Sequence, residues 1–389
     1  MRPIRQIALA FPITVGYEEE IVLGIEDYVA QRAEEAAWSL VGGLQGVLGS
    51  LRDLKGWRGH AVLAEIRSPE EARFAGALRI PVVDLAGAVP GTGLPTVITD
   101  QRMMGRLAAE HLMQCGLRRF AFYGLKDVRY SAERKRGFAD RLARDGYQAA
   151  VLETTGRRSR PRGWQHWLEE LCRFLTTIPP PFGLMAVDDA WARMVTDACR
   201  SLGLHVPYHV AVVGVDNNRL ACEGARPTIT SVGQNARAIG HRAAALLDRL
   251  MSGRKPPHDE ILVPPTGVIA RESTDVAAAG DPELIEVMRF IREHLGEPFS
   301  IEQMLRAVPA SRRWLEYRFR ERFGRSPHAY ISERRVERAK GLLLAPQPPP
   351  LQEIAGACGF LTVRTLADAF RRATGMTLEE FRAAHRAGK

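Results

Sequence analysis

Cysteine is scarce in this chain and poorly placed for cross-links. The five cysteines among 389 residues, at 115, 172, 199, 222 and 358, are scattered, odd in number and nowhere spaced C-x-x-C. They offer neither a disulfide framework nor a zinc site. Long apolar runs are also missing, and none approaches the ~18–20 residues of a membrane span. The apolar stretch Ile7–Phe11 is stopped by Pro12, so it reads as a first strand rather than a signal peptide. Reduced cysteines and the lack of a leader give the expectation of a cytoplasmic protein with no membrane partner. No phosphate-cradling G-x-x-x-x-G-K motif occurs, and the ten histidines form no ligand pattern, so no metal or cofactor is expected. What is present is an ordinary globular balance, 46% apolar and 25% charged, with length for two or three domains.

The charge is uneven. The net +9 divides into +4 for residues 1–280 (35 basic, 31 acidic) and +5 for residues 281–389 (19 basic, 14 acidic). Residues 311–340 alone hold 10 basic and 4 acidic side chains, mostly arginines on the basic side. A basic concentration of this kind fits either a polyanion partner such as nucleic acid or a solvated helix face.

Residues 4 to about 270 alternate short apolar runs with stretches of helical period. Strands are expected at Ile7–Phe11, Ala61–Ile66, Pro81–Leu85, Thr96–Thr99, Arg119–Leu125, Ala149–Glu153, Gly183–Val187, Val210–Val215 and Thr230–Val232. Helices are expected at Glu18–Glu34, Met103–Gln114, Ala132–Asp145, Trp164–Thr176, Ala190–Ser201 and Ala236–Leu250. Alternating βα units predict parallel sheets covered by helices. Nine strands exceed one small doubly wound domain, so two α/β lobes with a cleft between them are expected. The small, polar stretch Arg271–Pro282 reads as a break, giving a sensor domain at 1–272, a linker at 273–282 and an all-α domain at 283–389.

The C-terminal third repeats itself. Leu315, Phe319, Gly324, Ser326, Pro327 and Tyr330 match Leu366, Phe370, Gly375, Thr377, Leu378 and Phe381 at a spacing of 51, and Met304 matches Ile354 at 50. Each copy reads as helix, turn, helix, then a closing Gly. Ser300 with Gln303 forms a capping box and Ser311 caps the next helix. Two helix-turn-helix units on one body can enter adjacent major-groove segments ~34 Å apart. A bridging helix over Ala329–Leu344 would span about 24 Å.

The run Ser311–Phe319, Gly324-Arg325-Ser326-Pro327, Ile354-Ala355, Cys358-Gly359-Phe360 and Ala369–Arg372 with Gly375 resembles the DNA-binding domain of the AraC/XylS family. The resemblance implies a double-stranded DNA partner. It implies base readers Arg312, Arg313, Glu316 and Tyr317 in copy one, and Thr362, Val363, Arg364 and Asp368 in copy two, with Arg318 and Arg371 as further DNA contacts. Leu361 stands where the family usually has a capping Ser, Asp368 where a basic residue is common, and Leu378 where Pro is usual. Copy two is therefore expected to contact phosphates more than bases. Leu315, Phe319, Leu366 and Phe370 are expected to be core.

Asp100-Gln101, Arg119–Gly124, Glu133–Phe138, Ala186–Ala190, Gly214–Asn217 and Ser231–Gln234 form an ordered set that resembles LacI-type, periplasmic-binding-protein-like sensors. In such folds the ligand sits at carboxyl ends of strands, between the lobes. The resemblance implies that Asp100, Gln101, Arg134, Asp188, Asp189, Asp216 and Gln234 hold a sugar, with Tyr17 capping it. Carboxylates suit a polyol because each can accept two charge-assisted hydroxyl bonds. Trp191 could cover a sugar face or pack in the core. Asp188 could instead cap a helix.

A LacI-like sensor followed by an AraC-type domain resembles the regulators of bacterial xylose operons. The arrangement implies a sugar-responsive activator, a pentose effector such as xylose, and a homodimer. A different sugar or oligosaccharide is the alternative effector. A carbohydrate-active enzyme, suggested by adjacent Asp188 and Asp189, is disfavoured because neighbouring side chains at a helix start point different ways.

Overall fold

A computed structural model describes residues 4–13, 16–32, 37–42, 48–155, 164–276, 281–308, 310–344 and 348–386. The chain divides into two compact units, Met1–Asp275 and Val276–Lys389.

The first unit begins with β1 (Arg5–Ala10), α1 (Tyr17–Gln31), β2 (Trp38–Gly42), β3 (Ala61–Ala64), α2 (Pro69–Ala77), β4 (Val82–Asp84) and β5 (Val97–Thr99). These strands build a parallel sheet of order β2-β1-β3-β4, and a bridge from Asp84 to Thr96 attaches β5. The chain then crosses to a second lobe with α3 (Gln101–Gln114), β6 (Phe120–Leu125), α4 (Arg129–Ala143), β7 (Ala149–Thr154), α5 (Trp164–Thr176), β8 (Phe182–Ala186), α6 (Asp189–Ser201), β9 (Val210–Val215), α7 (Arg219–Glu223) and β10 (Thr230–Gly233). It returns through α8 (Ala236–Met251) and β11 (Ile261–Val263), which pairs with β5, and crosses a third time into β12 (Gly267–Ile269). The second sheet runs β12-β10-β9-β8-β6-β7, parallel except for β12. Strands such as Phe120–Leu125 and Val210–Val215 are apolar throughout and wholly buried, as a parallel sheet covered on both faces requires.

The two-lobed α/β architecture and the all-α domain are as the sequence implied. Some elements were not. Strand β2 lacks clear alternation, β11 and β12 have only three residues each, and helices α2 and α7 are short. The expected helix end at Glu34 lies outside the described residues, and α1 closes at Gln31. Ser273 and Thr274 are buried in a helical turn at Glu272–Thr274 against the second sheet. There Ser273 Oγ donates to Val212 O (2.6 Å), and the Glu272 carboxylate accepts from Thr228 N (2.8 Å). Asp281 caps the first helix of the second unit. Residues 277–280 of the expected linker lie outside the described residues.

Each lobe is closed by two helices pressed backbone to backbone. A Cβ on Gly105 of α3 would lie 2.0 Å from the Arg134 carbonyl oxygen, and one on Gly137 of α4 2.0 Å from that of Arg102. In the other lobe a Cβ on Gly24 of α1 would lie 1.9 Å from the Arg237 carbonyl oxygen of α8, and one on Gly240 of α8 1.9 Å from that of Ile21. Only glycine permits such an approach.

The second unit comprises α9 (Pro282–His294), α10 (Ile301–Ala307), α11 (Arg312–Phe323), α12 (Pro327–Leu343), α13 (Leu351–Ala357), α14 (Val363–Thr374) and α15 (Leu378–Arg386). The capping box of Ser300 and Gln303 is present, and Ser311 Oγ accepts from Trp314 N (3.2 Å). Gly324 and Gly375 end α11 and α14 in left-handed conformation. Leu315, Phe319, Leu366 and Phe370 are fully buried. Helix α12 is the expected bridge.

The glycine contacts give a first prediction. Gly137→Ala should wedge α3 from α4 at a cost of about 1–3 kcal/mol, as overpacking does. In a unit of this size that is a fall of roughly 2–4 °C in Tm per kcal/mol, read by thermal unfolding.

Candidate functional site

The three crossovers between the lobes lie together and bond one another. Asp100 N donates to Val263 O (2.9 Å), and Thr266 N donates to Gly233 O (2.9 Å). Around them runs a polar chain. Thr99 Oγ1 donates to Gln234 Oε1 (2.6 Å), and Gln234 Nε2 donates to Asp216 Oδ1 (2.6 Å). Arg134 Nη2 reaches the same oxygen at 3.3 Å, its Nε donates to Gln101 Oε1 (2.7 Å), and its Nη1 donates to Val187 O. Arg134 is 3% exposed, so all its bonds are made within protein. The ring of Tyr130 lies 5.0 Å from its guanidinium carbon.

Asp216 is the acceptor this chain leaves open. It sits at φ +102°, followed by Asn217 at +54°, conformations that side chains rarely adopt. Oδ1 takes both bonds and the side chain is 31% exposed. Oδ2 has no hydrogen-bond partner among the described residues and is available to an incoming hydroxyl. Burial pushes the carboxyl up, against the opposing pull of Arg134.

The first lobe supplies an opposing wall. Glu65, at the end of β3, is buried and paired with Arg67. Burial pushes its carboxyl up to about 7, with Arg67 pulling it back. Half-buried Tyr17 has its hydroxyl pushed up by burial, then by the charges of Glu65 and Asp216, so it feels carboxylates of both lobes. At one edge Arg129 of α4 spans the lobes, donating to both oxygens of Glu260 (2.7 and 2.6 Å) and to Gly87 O (2.6 Å).

The structure therefore brings together Tyr17, Gln101, Arg134, Asp216 and Gln234 of the expected ligand residues. It employs the other three differently. Asp100 caps α3, accepting from Met103 N (2.9 Å). Asp188 caps α6, accepting from Trp191 N (3.0 Å), and stays close enough to Asp216 to be pushed up to about 6, burial being the larger cause. Asp189, expected as a ligand group, is 1% exposed and faces Gly214, with Oδ2 accepting from Asn218 N (2.7 Å). It holds the loop that carries Asp216, and its own Oδ1 is buried without a bond. Burial, then Asp216, pushes Asp189 up to about 7. Trp191 packs edge-on against Tyr123 at 5.1 Å and near Trp167, so it belongs to the core. Sequence reasoning missed Thr99, Glu65, Arg67 and Tyr130. Glu65 ends an apolar strand, which is the one signal that could have found it.

In the second unit, Arg312, Arg313, Glu316 and Tyr317 line one outward face of α11 with Arg320, which was not anticipated although it lies one turn on. Tyr317 is 63% exposed. Arg318 is turned off this face, with Nε 3.0 Å from Asp281 Oδ2 and Nη1 bonded to Glu321 (2.7 Å). Here Arg318, expected as a DNA contact, is tied to the cap of α9. In copy two the cap is Thr362, whose Oγ1 accepts from Thr365 N (3.2 Å), so the Leu361 departure leaves the helix capped. Arg364, Asp368 and Arg371 are exposed, and Val363 is half-buried against the core.

A ligand-sensing two-lobed fold and a double helix-turn-helix in one chain define a ligand-responsive transcription regulator. Residues 109–274 match a periplasmic binding protein-like domain, and residues 304–384 a helix-turn-helix domain. The xylose operon regulatory protein of Escherichia coli strain K12 is 33% identical over 384 residues, covering 97% of this chain and 96% of its own. That of Haemophilus influenzae strain Rd is 30% identical, covering 97% and 98%. A solved structure of the xylose-binding transcription activator xylR matches with a TM-score of 0.82 at 32% identity, covering 98% of this chain and 99% of its own. The chain belongs to the family of xylose operon regulatory proteins. No helix among the described residues is long and apolar enough to cross a membrane.

The buried carboxylates set a pH dependence. A raised carboxyl holds its proton more tightly folded than unfolded. The folded state is therefore favoured at low pH and loses that advantage as pH climbs from ~4 toward the raised value. For Asp189 that value is about 7. Asp189→Asn removes the charge while keeping an oxygen for Asn218 N. Its Tm should match the wild type only near pH 4 and below, exceed it already at pH 5, and exceed it further by pH 8, each kcal/mol of difference reading as roughly 2–4 °C. A difference that stays constant across that range would refute the assignment.

Proposed function

We propose that this protein is a cytoplasmic, homodimeric activator of pentose-utilisation genes whose effector is xylose or a close relative. The observation that carries the reading is Asp216, whose Oδ2 is left open where the three crossovers meet while Arg134 and Gln234 fix Oδ1. A sugar hydroxyl donating to Oδ2 would add its bond to groups already tied to both lobes. From the first lobe, Tyr17 feels the charges of both Glu65 and Asp216. Supporting this choice of effector are the relatives' names, xylose operon regulatory protein and xylose-binding transcription activator. The sugar acts on DNA binding only through its difference in affinity for two arrangements of the sensor. Polyol recognition here uses charge-assisted bonds, so an analogue lacking one hydroxyl would leave a buried acceptor unpaired and be rejected.

Thermal unfolding with xylose, arabinose, ribose and glucose tests this. Xylose at 100 times its Kd should stabilise the sensor by about 2.7 kcal/mol. Asp216→Asn, which replaces a charge-assisted bond with a neutral one, should weaken xylose binding roughly tenfold. No shift with any sugar, in protein that still binds DNA, would overturn the effector site. For DNA, Arg313→Ala should cost about 1–3 kcal/mol of operator affinity and relax preference at one base position. A uniform loss across sequences in a binding titration would instead make Arg313 a phosphate contact.

A further inference from the structure

The two helix-turn-helix copies share a core but not a surface. At the spacing of 51, Ala310, Arg312, Glu316 and Tyr317 of copy one correspond to Leu361, Val363, Ala367 and Asp368 of copy two. Copy one thus presents Arg312, Glu316 and the Tyr317 ring where copy two presents Val363, Ala367 and Asp368, with Leu361 ahead of them and Arg364 in the place of Arg313. Leu361 is 81% exposed, in a unit whose other repeat leucines are buried. It sits immediately before the cap, in the turn that delivers the helix.

The cap that follows it is already engaged. Thr362 Oγ1 accepts from Thr365 N and lies 3.2 Å from Thr365 Oγ1, inside a closed capping box. Thr365 Oγ1 in turn donates to Thr362 O (2.8 Å). The first turn of α14 therefore offers Leu361, the edge of Val363 and the exposed Arg364 to whatever it meets. A recognition helix meets the major groove with its N-terminal residues. The apolar group that base edges display there is the thymine C5-methyl.

We propose that copy two reads thymine methyl groups through Leu361, with Val363 beside it, while copy one reads hydrogen-bonding edges. Arg364 and Arg371, both exposed on α14, supply the positive charge that brings the backbone to this surface. Leu361 is then a specificity residue, and the site of copy two is T-containing whatever copy one selects. This rests on the DNA-binding reading of the second unit.

The test uses the full-length protein. Its preferred duplex is selected from a random library, and each thymine is then replaced by deoxyuridine, which removes only the methyl. At one or two positions, all within one half of the site, wild-type affinity should fall about fourfold per methyl, the equivalent of burying one such group. Leu361→Ala should bind the thymine duplex that much more weakly and be indifferent to deoxyuridine at the same positions. Arg313→Ala should keep the methyl dependence. Specific binding with no methyl dependence overturns the proposal and leaves the DNA-binding reading intact. Absence of specific DNA binding overturns both. Leu361→Ala protein that keeps the full methyl dependence but fails to activate transcription would also overturn it, by giving this surface to a protein partner.

Discussion

The sensor depends on how closely α3 and α4 approach. With no side chain at Gly105 or Gly137, the two backbones touch where a Cβ would have 2.0 Å. The carbonyl that Gly105 faces is that of Arg134 itself. The contact therefore sets the depth at which Arg134 leaves α4, directly beside Gln101 at the start of α3. Were the helices separated by an ordinary side-chain layer, a guanidinium on α4 would not reach Gln101, Val187 O and Asp216 together. Each of those partners comes from a different segment of chain, and through Gln234 the chain of bonds runs on to Thr99 in the first lobe. One backbone contact thus orders the junction of all three crossovers.

The same junction concentrates unfavourable charge. Asp188 and Asp189 each feel the charge of Asp216, and among the described residues Arg134 is the one buried arginine near them. Burying carboxylates that are incompletely paired costs stability. Asp188 and Asp189 recover part of that through backbone N–H groups, at the α6 cap and at Asn218. Asp216 recovers it through Arg134 and Gln234 on one oxygen only. A ligand with hydroxyl donors would supply what the free site lacks, so the energetic deficit and the binding capacity are the same feature.

Much of this was legible in the sequence, for identifiable reasons. The βα alternation gave two lobes because fully buried parallel strands are continuous apolar runs, hard to mistake at Phe120–Leu125 or Val210–Val215. The repeat gave the recognition helices because a core residue at 315 or 366 must recur with the motif. Strand β2, with no buried position along it, had no such signature. Individual roles were harder. An acidic residue at the end of a strand can cap the next helix, brace a loop or face a ligand; Asp100 does the first and Asp189 the second, and Asp216 is the one proposed for the third. Nothing local separates them; the packing of Gly214 against Asp189 does. Arg318 shows the same limit, since its partner Asp281 lies outside the repeat.

Helix α3 links the ligand junction to the point where the sensor chain ends. Its first residue, Gln101, is bonded to Arg134. Near its other end, His111 Nε2 lies 2.8 Å from Thr274 Oγ1, and Cys115 Sγ donates to Thr274 O (3.5 Å). Thr274 also meets Thr230 Oγ1 at 2.8 Å, so the last buried turn before the linker is held by α3 and β10 together. Fourteen helical residues make a strut of about 21 Å, stiff along its axis because every turn is hydrogen-bonded. Burial also lowers the proton affinity of His111 at its contact with Thr274. A shift of Gln101 along the axis of such a strut would be carried to its other end, beside Thr274, in the last buried turn before the chain leaves the sensor.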